Sequence, residues 1–155
     1  MNLSYGQPNA VPYTLRMTIN QGTNVNFIIN SQDKYISGST LTDWTKVLVC
    51  YNNPDLPAGQ WEVHCRAMNN IENEFGDVIP FANFTIETTN TGANALTTTA
   101  APLPISVLPV LIASDGLQGT ENDNNFTITY ILSGGMIGMA SGHYTMDMEL
   151  ILSEE

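Results

Sequence analysis

The sequence predicts an all-β fold, a two-sheet antiparallel sandwich of about eight strands that is immunoglobulin-like or jelly-roll. Apolar and polar residues alternate along many short stretches, whereas no stretch of useful length repeats apolar residues at helical spacing. Pieces rich in Gly, Asn, Asp and Pro separate these stretches, as turns separate strands. The predicted strands are 13–19, 24–30, 44–51, 60–68, 80–88, 104–113, 125–132 and 143–152.

The 155 residues are most simply a single domain, 1–155, which is large enough to bury roughly 70% of the surface of its unfolded chain. Residues 1–12 are turn-rich and form either a plain lead-in or a flexible arm that pairs with a neighbour. Residues 89–103 lack alternation and are expected to connect the two sheets. Residues 133–142 contain four glycines and predict a loop, or an apolar contact tip if their methionines are exposed.

Charge is scarce and one-sided. Four Lys or Arg against fifteen Asp or Glu give a formal charge of −11, which repels phosphate backbones and anionic lipids, so we expect neither nucleic-acid binding nor membrane insertion. Asn and Thr carry the polar surface instead, a composition common among secreted and cell-surface β-proteins. We therefore expect a secreted or cell-surface protein in its mature form, without its signal peptide, and a cytosolic protein is the alternative.

The two cysteines, Cys50 and Cys65, lie in neighbouring predicted strands on either side of a turn-rich loop. In an antiparallel hairpin turning near residues 57–58 they would face one another, at a spacing compatible with a disulfide. Such a bond closes a loop of about 15 residues and stabilises the fold by roughly 3 kcal/mol. The sequence therefore predicts a disulfide, with two buried free thiols as the alternative, since no low-pKa setting or further ligand indicates redox chemistry or a metal.

The motifs of an enzyme are missing. His64 and His143 are the only imidazoles, and the chain has no HExxH, Gly-x-Ser-x-Gly, phosphate-binding glycine loop or CxxC pair. We therefore predict no catalysis and no cofactor. One acidic turn offers hard oxygen ligands, Glu121 and Asp123, which are suited to Ca²⁺, but it lacks the EF-hand spacing, and an acidic, Asn-rich turn between strands is usually just solvated.

Aromatic residues raise the alternative of a carbohydrate-binding module, in which sugar rings stack on exposed Trp and Tyr side chains. Trp44 and Tyr51 are the candidate contacts, at the two ends of one predicted strand. Trp61 alternates with Val63 and Cys65, so we expect it in the core. Glycans are thus the second class of partner that the sequence suggests.

Proline indicates where a sheet edge is to be expected. Pro109 falls inside the predicted strand 104–113, where it cannot donate a ladder hydrogen bond, so this strand should lie at an edge or contain a bulge. An uncharged edge is a place where another chain can add a strand. Val107, Pro109 and Leu111 are therefore the predicted edge contacts.

The second half of the chain resembles bacterial cell-surface β-sandwich modules, the fimbrial and spore-coat-U-like subunits and the surface domains related to the WxL type. The resemblance covers about residues 61–152 and is carried by WEVHCRAM, IPFANFTIET, PLPISVLPVLIASDGLQGTENDNNFTITYILSGG and ASGHYTMDMELILS. It implies an extracellular structural or adhesive module without catalysis and carries over no site residue. The WxL signature itself is not present.

The sequence therefore favours a non-catalytic subunit of a surface fibre or coat, acting through self-association or contact with another surface protein. Two alternatives remain open. One is the carbohydrate-binding module, and the other is a viral or phage capsid or decoration protein of jelly-roll type.

Overall fold

A computed structural model describes residues 12–155, so the predicted arm lies outside the described residues except for Pro12. The described strands are β1 (Thr14–Gln21), β2 (Asn26–Ile29), β3 (Gly38–Asn52), β4 (Trp61–Ala67), β5 (Ile71–Glu72), β6 (Val78–Ile79), β7 (Phe84–Asn90), β8 (Thr97–Thr98), β9 (Leu103–Pro104), β10 (Val110–Gly116), β11 (Asn125–Ser133), β12 (Gly142–Thr145) and β13 (Met148–Glu154). Helix α1 spans Gln32–Ser37, and a 3-10 turn spans Phe81–Asn83. The all-β prediction is confirmed.

The strands form three antiparallel sheets. The long sheet has the order β1-β3-β11-β7-β9, the β4 sheet has the order β13-β4-β10-β8, and the β12 sheet has the order β2-β12-β5-β6. Strand β4 runs into β5 through residues 68–70, and β12 runs into β13 through residues 146–147. The two smaller sheets therefore continue one another and make up the second layer of a sandwich.

The chain crosses between layers at nearly every step. Strands β3, β7 and β11 belong to the long sheet, whereas β4, β10 and β13, which come later in the chain than β3, β7 and β11 respectively, belong to the second layer. These six strands therefore alternate between the two layers, as the strands of an antiparallel sandwich can.

One apolar core fills the space between the layers. Alternate residues of β3 (Val47, Val49 and Tyr51) and of β4 (Trp61 and Val63) are fully buried, as the two-residue period of a strand requires. The β12 sheet joins this core through Phe27, whose ring meets Phe84 edge to face at 5.9 Å between centroids. Tyr130 stacks on the other side of Phe84 at 6.2 Å.

Gly116 fits where no larger residue can. A β-carbon at this position would lie 2.0 Å from the indole ring of Trp61, far inside van der Waals contact. Trp61 is itself buried, and its indole nitrogen donates a hydrogen bond to the Leu117 carbonyl at 3.1 Å. The largest side chain of the core thus packs directly against the backbone of β10.

The structure differs from the predicted elements in several places. Strand β3 begins at Gly38, well before the predicted 44–51. The predicted strand 143–152 divides into β12 and β13, which lie in different sheets. Within the predicted connection 89–103, Thr97–Thr98 forms β8. Helix α1 was not predicted because it is a single short turn, which begins where the Ser31 hydroxyl accepts a hydrogen bond from the Lys34 N–H.

Residues 97–106 close one flank of the sandwich, here called the β8–β9 flank. Ile105 is buried between the layers, and the Ser106 carbonyl accepts a hydrogen bond from the Ala67 N–H at 2.8 Å. Thr88, also buried, donates from Oγ1 to the Ile112 carbonyl at 2.7 Å and accepts from the Thr99 N–H at 2.8 Å. At this flank the apolar side chain is therefore buried, and the buried polar groups have hydrogen-bond partners.

Candidate interaction groove

The other flank of the sandwich is open along β13. Within residues 12–155, β13 pairs with β4 alone. Met68 N–H donates to the Asp147 carbonyl and Glu155 N–H donates to the Gln60 carbonyl, both at 2.8 Å. Antiparallel hydrogen bonding alternates, so the odd-numbered residues of β13 bond to β4 and the even-numbered ones direct their N–H and C=O groups outward. The outward-facing residues are Met148, Leu150, Leu152 and Glu154.

The side chains of these same even-numbered residues point toward the core. Met148, Leu150 and Leu152 pair with Ala67, Cys65 and Val63 of β4, and those three residues are buried. Cross-strand partners share a face of the sheet. Yet all three β13 side chains are only half-buried.

Strand β1 forms the opposite wall. It is the edge strand of the long sheet and pairs with β3 alone in the described chain, with Leu15 opposite Tyr51, Met17 opposite Val49 and Ile19 opposite Val47. These β3 partners are buried, so the β1 side chains also face inward, but Leu15 and Met17 are half-buried and Ile19 is 40% exposed. We call the cleft between β1 and β13 the β1–β13 groove.

The groove has a defined beginning and end. Near Met148 it widens into a cavity of about 460 Å³ whose lining includes Ile19, Val25, Met146 and the edge of buried Tyr130. At the far end the Tyr51 hydroxyl donates to the Glu154 carboxylate at 2.5 Å, and the Asn53 amide donates to the same oxygen at 2.5 Å. This contact ties the long sheet to the β4 sheet.

The contact at the closed end of the groove also shifts the pKa of both partners. Burial, followed by the hydrogen bond and the charge of Glu154, raises the pKa of Tyr51 to about 12. The hydrogen bonds from Tyr51 and then Asn53 hold the pKa of the Glu154 carboxyl below its ordinary value. At neutral pH the pair is therefore a neutral phenol donating to an ionised carboxylate.

The predicted cysteine hairpin is wrong, and both cysteines are free. Strands β3 and β4 lie in different sheets. Cys50 alternates with buried Val49 and Tyr51, so it faces outward from the long sheet, whereas Cys65 is buried in the core. A disulfide between them would need a pairing that this topology does not contain, and burial raises the pKa of the Cys65 thiol to about 12.

The two aromatic residues predicted for sugar binding do not form a common surface. Tyr51 is fully buried, and its hydroxyl bonds to Glu154, which corrects its prediction as a carbohydrate contact. Trp44 is 40% exposed, and its indole nitrogen donates to the Asn24 carbonyl at 2.8 Å. Strand alternation separates them, because Tyr51 continues the buried series of Thr45, Val47 and Val49, whereas Trp44 lies outside that series.

The acidic turn has protein partners for its carboxylates. Glu121 accepts from Arg16 at 2.9 Å and from the Thr18 hydroxyl at 3.3 Å, and so fastens the turn to β1. Asp123 accepts from the N–H and the hydroxyl of Thr120, which lowers the pKa of its carboxyl. Across residues 12–155, no group of three or more His, Cys, Asp or Glu side chains is placed to hold a metal. Calcium binding by this turn stays a prediction.

The predicted edge contacts occupy a different setting. The segment 104–113 is not one strand, because β9 ends at Pro104 in the long sheet and β10 begins at Val110 in the β4 sheet. Val107 and Pro109 lie exposed in the turn between them, and Leu111 lies in β10, between β4 and β8 in sheet order. Pro109 thus precedes a strand that lies inside the order of its sheet, and the register of β10 shifts between Leu111 and Ala113, which agrees with the predicted alternative of a bulge. Contact of Val107, Pro109 and Leu111 with another chain stays a prediction.

The Gly-rich segment 133–142 is largely a loop, as predicted. Met136 is buried and its N–H donates to the Tyr35 carbonyl of α1 at 3.0 Å. Ile137 is the exposed apolar residue of this loop, at 80%.

No protein-family model matches the chain, and no curated protein matches it. The resemblance to surface modules therefore stays a prediction. Among the described residues, the helices are too short and polar to cross a membrane.

Proposed function

We propose that this protein is a non-catalytic structural subunit that acts through protein–protein contact, and that the β1–β13 groove accepts an extended segment of a protein chain. The observation that carries the proposal is the outer edge of β13, which pairs with β4 alone among residues 12–155. Its outward N–H and C=O groups lie directly beside half-exposed Met148, Leu150 and Leu152. Strand addition uses both features, since main-chain hydrogen bonds provide affinity and pockets for alternate side chains provide specificity.

The groove also indicates the chemistry of the incoming segment. Its walls are apolar, with Leu15 and Met17 on one side and Leu150 and Leu152 on the other, so the segment needs apolar residues at every second position. Glu154 lies at one end of the groove, and an acidic segment would be repelled there. The segment that fits is therefore an uncharged or basic strand with alternating apolar residues.

Assembly into a fibre or coat at the cell surface is the setting that we propose for this contact. The resemblance of residues 61–152 to surface modules and the Asn- and Thr-rich composition support it. The all-β sandwich is compatible with a second form of assembly, a closed shell, because viral capsid domains of jelly-roll type are also built from two packed sheets. In both forms the function is contact between subunits.

The test is a charge placed inside the groove. Leu152→Lys puts an ammonium group where the incoming apolar side chain would pack, whereas Ile151→Lys, one residue away, puts it on the outer face of the same strand. We expect the wild-type protein to form filaments or shells at raised concentration in light scattering and electron microscopy, Leu152→Lys to remain monomeric and Ile151→Lys to assemble.

Two outcomes would overturn the proposal. One is a wild-type protein that stays monomeric at every concentration and binds on a glycan array, which would favour a carbohydrate-binding module. The other is assembly that both lysine variants retain, because the contact would then lie elsewhere on the surface.

A further inference from the structure

We infer that a pocket at one end of the sandwich, between helix α1 and the Gly-rich loop 133–142, binds a neutral saccharide. We call it the α1 pocket. It is separate from the β1–β13 groove, and a saccharide ligand is a function beyond assembly: the subunit would bind a sugar in addition to contacting other subunits.

The α1 pocket has a volume of about 470 Å³, which is in the range of sites for small organic ligands. One wall runs from Asn30 through α1 to Ile36, and the other is the loop segment from Ile137 to Ser141. Strand β3 begins directly after α1 and contains 15 residues, which extend over roughly 50 Å. The pocket therefore lies at the opposite end of β3 from Tyr51, which closes the groove.

Main-chain contacts fix the spacing of the two walls. The Met136 N–H donates to the Tyr35 carbonyl of α1 at 3.0 Å, and the Met139 N–H donates to the Met136 carbonyl at 3.1 Å. At Gly134 the loop packs so close to the helix that a β-carbon would lie 1.9 Å from the Ile36 carbonyl oxygen. The loop is thus held against α1 by its own backbone, and the pocket is a fixed feature of the fold.

The first part of the lining is apolar. Tyr35 and Met139 are half-buried, whereas Ile36 is 54% and Ile137 is 80% exposed. A ligand with an apolar face would therefore bury two isoleucines that the fold leaves exposed on opposite walls. A pyranose ring has such a face, made of its C–H groups, and it packs against aromatic and aliphatic side chains.

The second part of the lining consists of uncharged hydrogen-bonding groups. Asn30 and Gln32 lie in the α1 wall, and Ser141 lies in the loop wall. All three residues are exposed, so their amide and hydroxyl groups are accessible to a ligand. A side-chain amide both donates and accepts hydrogen bonds, which matches the neighbouring hydroxyl groups of a sugar.

Charge indicates that the ligand is neutral. The described residues that line the pocket include no Asp, Glu, Lys or Arg. The two charged side chains of α1 bond elsewhere: the Lys34 ammonium donates to the Ile28 carbonyl at 2.8 Å, and the Asp33 carboxylate accepts from the Ser37 hydroxyl at 3.3 Å. The formal charge of −11 repels an anionic sugar such as a sialylated or uronic one.

A purely apolar ligand fits the pocket less well than a saccharide does. It would cover the amides of Asn30 and Gln32 without offering them hydrogen bonds, which costs free energy. A neutral sugar supplies both the apolar face that Ile36 and Ile137 require and the hydroxyl groups that the amides require.

The test is binding of the full-length chain to a glycan array, at a protein concentration below that needed for assembly. The array carries neutral oligosaccharides of glucose, galactose, mannose and N-acetylglucosamine, together with sialylated forms of the galactosides. Calorimetric titration with the neutral oligosaccharide that gives the strongest signal then measures the affinity. We expect neutral glycans to bind and sialylated ones to bind severalfold more weakly.

Two pairs of variants locate the site. Ile137→Asp puts a carboxylate in the apolar part of the lining and should weaken binding roughly tenfold, whereas Leu108→Asp, at a residue that is 70% exposed in the turn between β9 and β10, should not change it. Gln32→Ala should weaken binding severalfold. Its control is Gln21→Ala, because Gln21 is exposed at the end of β1, outside the pocket.

Three results would overturn the inference: no binding to any neutral glycan, tighter binding of the sialylated glycans, or equal affinities in Ile137→Asp and Leu108→Asp. Assembly is scored in the same variants and should match the wild type. Loss of assembly in Ile137→Asp alone would show that the pocket is a contact between subunits, which also overturns the inference. A protein that binds neutral glycans through this pocket and never assembles would overturn the proposed function alone.

Discussion

The two flanks of this sandwich differ in how the gap between its two layers is filled. At the β8–β9 flank the gap between the layers is filled by buried Ile105, and Thr88 pairs with the backbone of Ile112 and Thr99. At the β1–β13 groove the apolar side chains of the two edge strands are only half-buried, and within residues 12–155 strand β13 pairs with β4 alone. The two flanks therefore differ in how far their apolar side chains are buried and in the main-chain pairing that the described residues supply.

The largest loss of stability should come from removing the apolar side chain that fills the β8–β9 flank. Ile105→Ala removes a fully buried side chain, and such changes cost about 3 kcal/mol because a cavity remains. Urea unfolding measures the loss. Val107→Ala, two residues away and exposed, should change stability by less than about 0.5 kcal/mol; equal losses in both variants would contradict the assigned closure.

The next largest effect should come from the polar half of the same closure. Thr88→Val keeps the shape of the side chain but leaves the Ile112 carbonyl and the Thr99 N–H without their partner, which should cost about 2 kcal/mol. Urea unfolding again provides the measurement. The control is Thr89→Val, since Thr89 is exposed on the neighbouring position of β7; a stability loss as large in this control would argue against a specific role for Thr88.

A smaller loss of stability is expected for a substitution in the β1–β13 groove. Leu150 is only half-buried, so Leu150→Ala should lower the free energy of unfolding by about 1 kcal/mol, below the cost of a fully buried leucine. Leu150 lies opposite Cys65, and its removal should speed maleimide labelling of that buried thiol. Ile151→Ala, on the outer face, should leave the labelling rate unchanged; equal rates in the two variants would contradict the assigned facing.

The smallest expected effect on stability is its dependence on pH, which arises from Glu154 at the closed end of the groove. The pKa of the Glu154 carboxyl is lowered in the fold, so its stabilising contribution is complete above the unfolded value and is lost as pH falls through the lower folded value. Thermal unfolding from pH 7 to pH 3 should therefore show a steeper loss in the wild type than in Glu154→Gln. Identical pH profiles would show that the contact contributes nothing.

The opposite sign applies to Tyr51 in alkali. Its pKa is raised from 10.0 to about 12, so the contribution of the neutral phenol is complete below pH 10 and is lost as pH rises toward 12. Ultraviolet titration of the wild type against Tyr51→Phe measures this shift directly.

Local sequence patterns predicted the strands, because the alternation of apolar and polar residues indicates which side of a strand is buried. WEVHCRA became β4 with every second residue in the core, and Trp61 lies where its alternation with Val63 placed it. The pairing of strands follows from long-range packing instead. The spacing of Cys50 and Cys65 is that of facing residues in a hairpin, but the chain crosses to the other layer between them. The local sequence does not indicate that crossing.

The candidate groove was missed for the same reason. Pro109 gave a local reason to expect an edge, yet the open edge is β13, whose sequence MELILSE contains no proline or glycine. Its status as an edge depends on β2, which pairs with β12 and does not extend along β13. The alternating Met148, Leu150 and Leu152 indicated an inward face, but nothing in the pattern indicated that this face would be left half-exposed.

The contact between Gly116 and Trp61 has a consequence for how this protein can diverge. A side chain at position 116 would enter the space of the indole ring, so glycine can be replaced there only if position 61 becomes smaller. The two positions should therefore covary in relatives of this chain, one the smallest residue and the other the largest. This pairing gives a search for such relatives a criterion that does not depend on overall sequence identity.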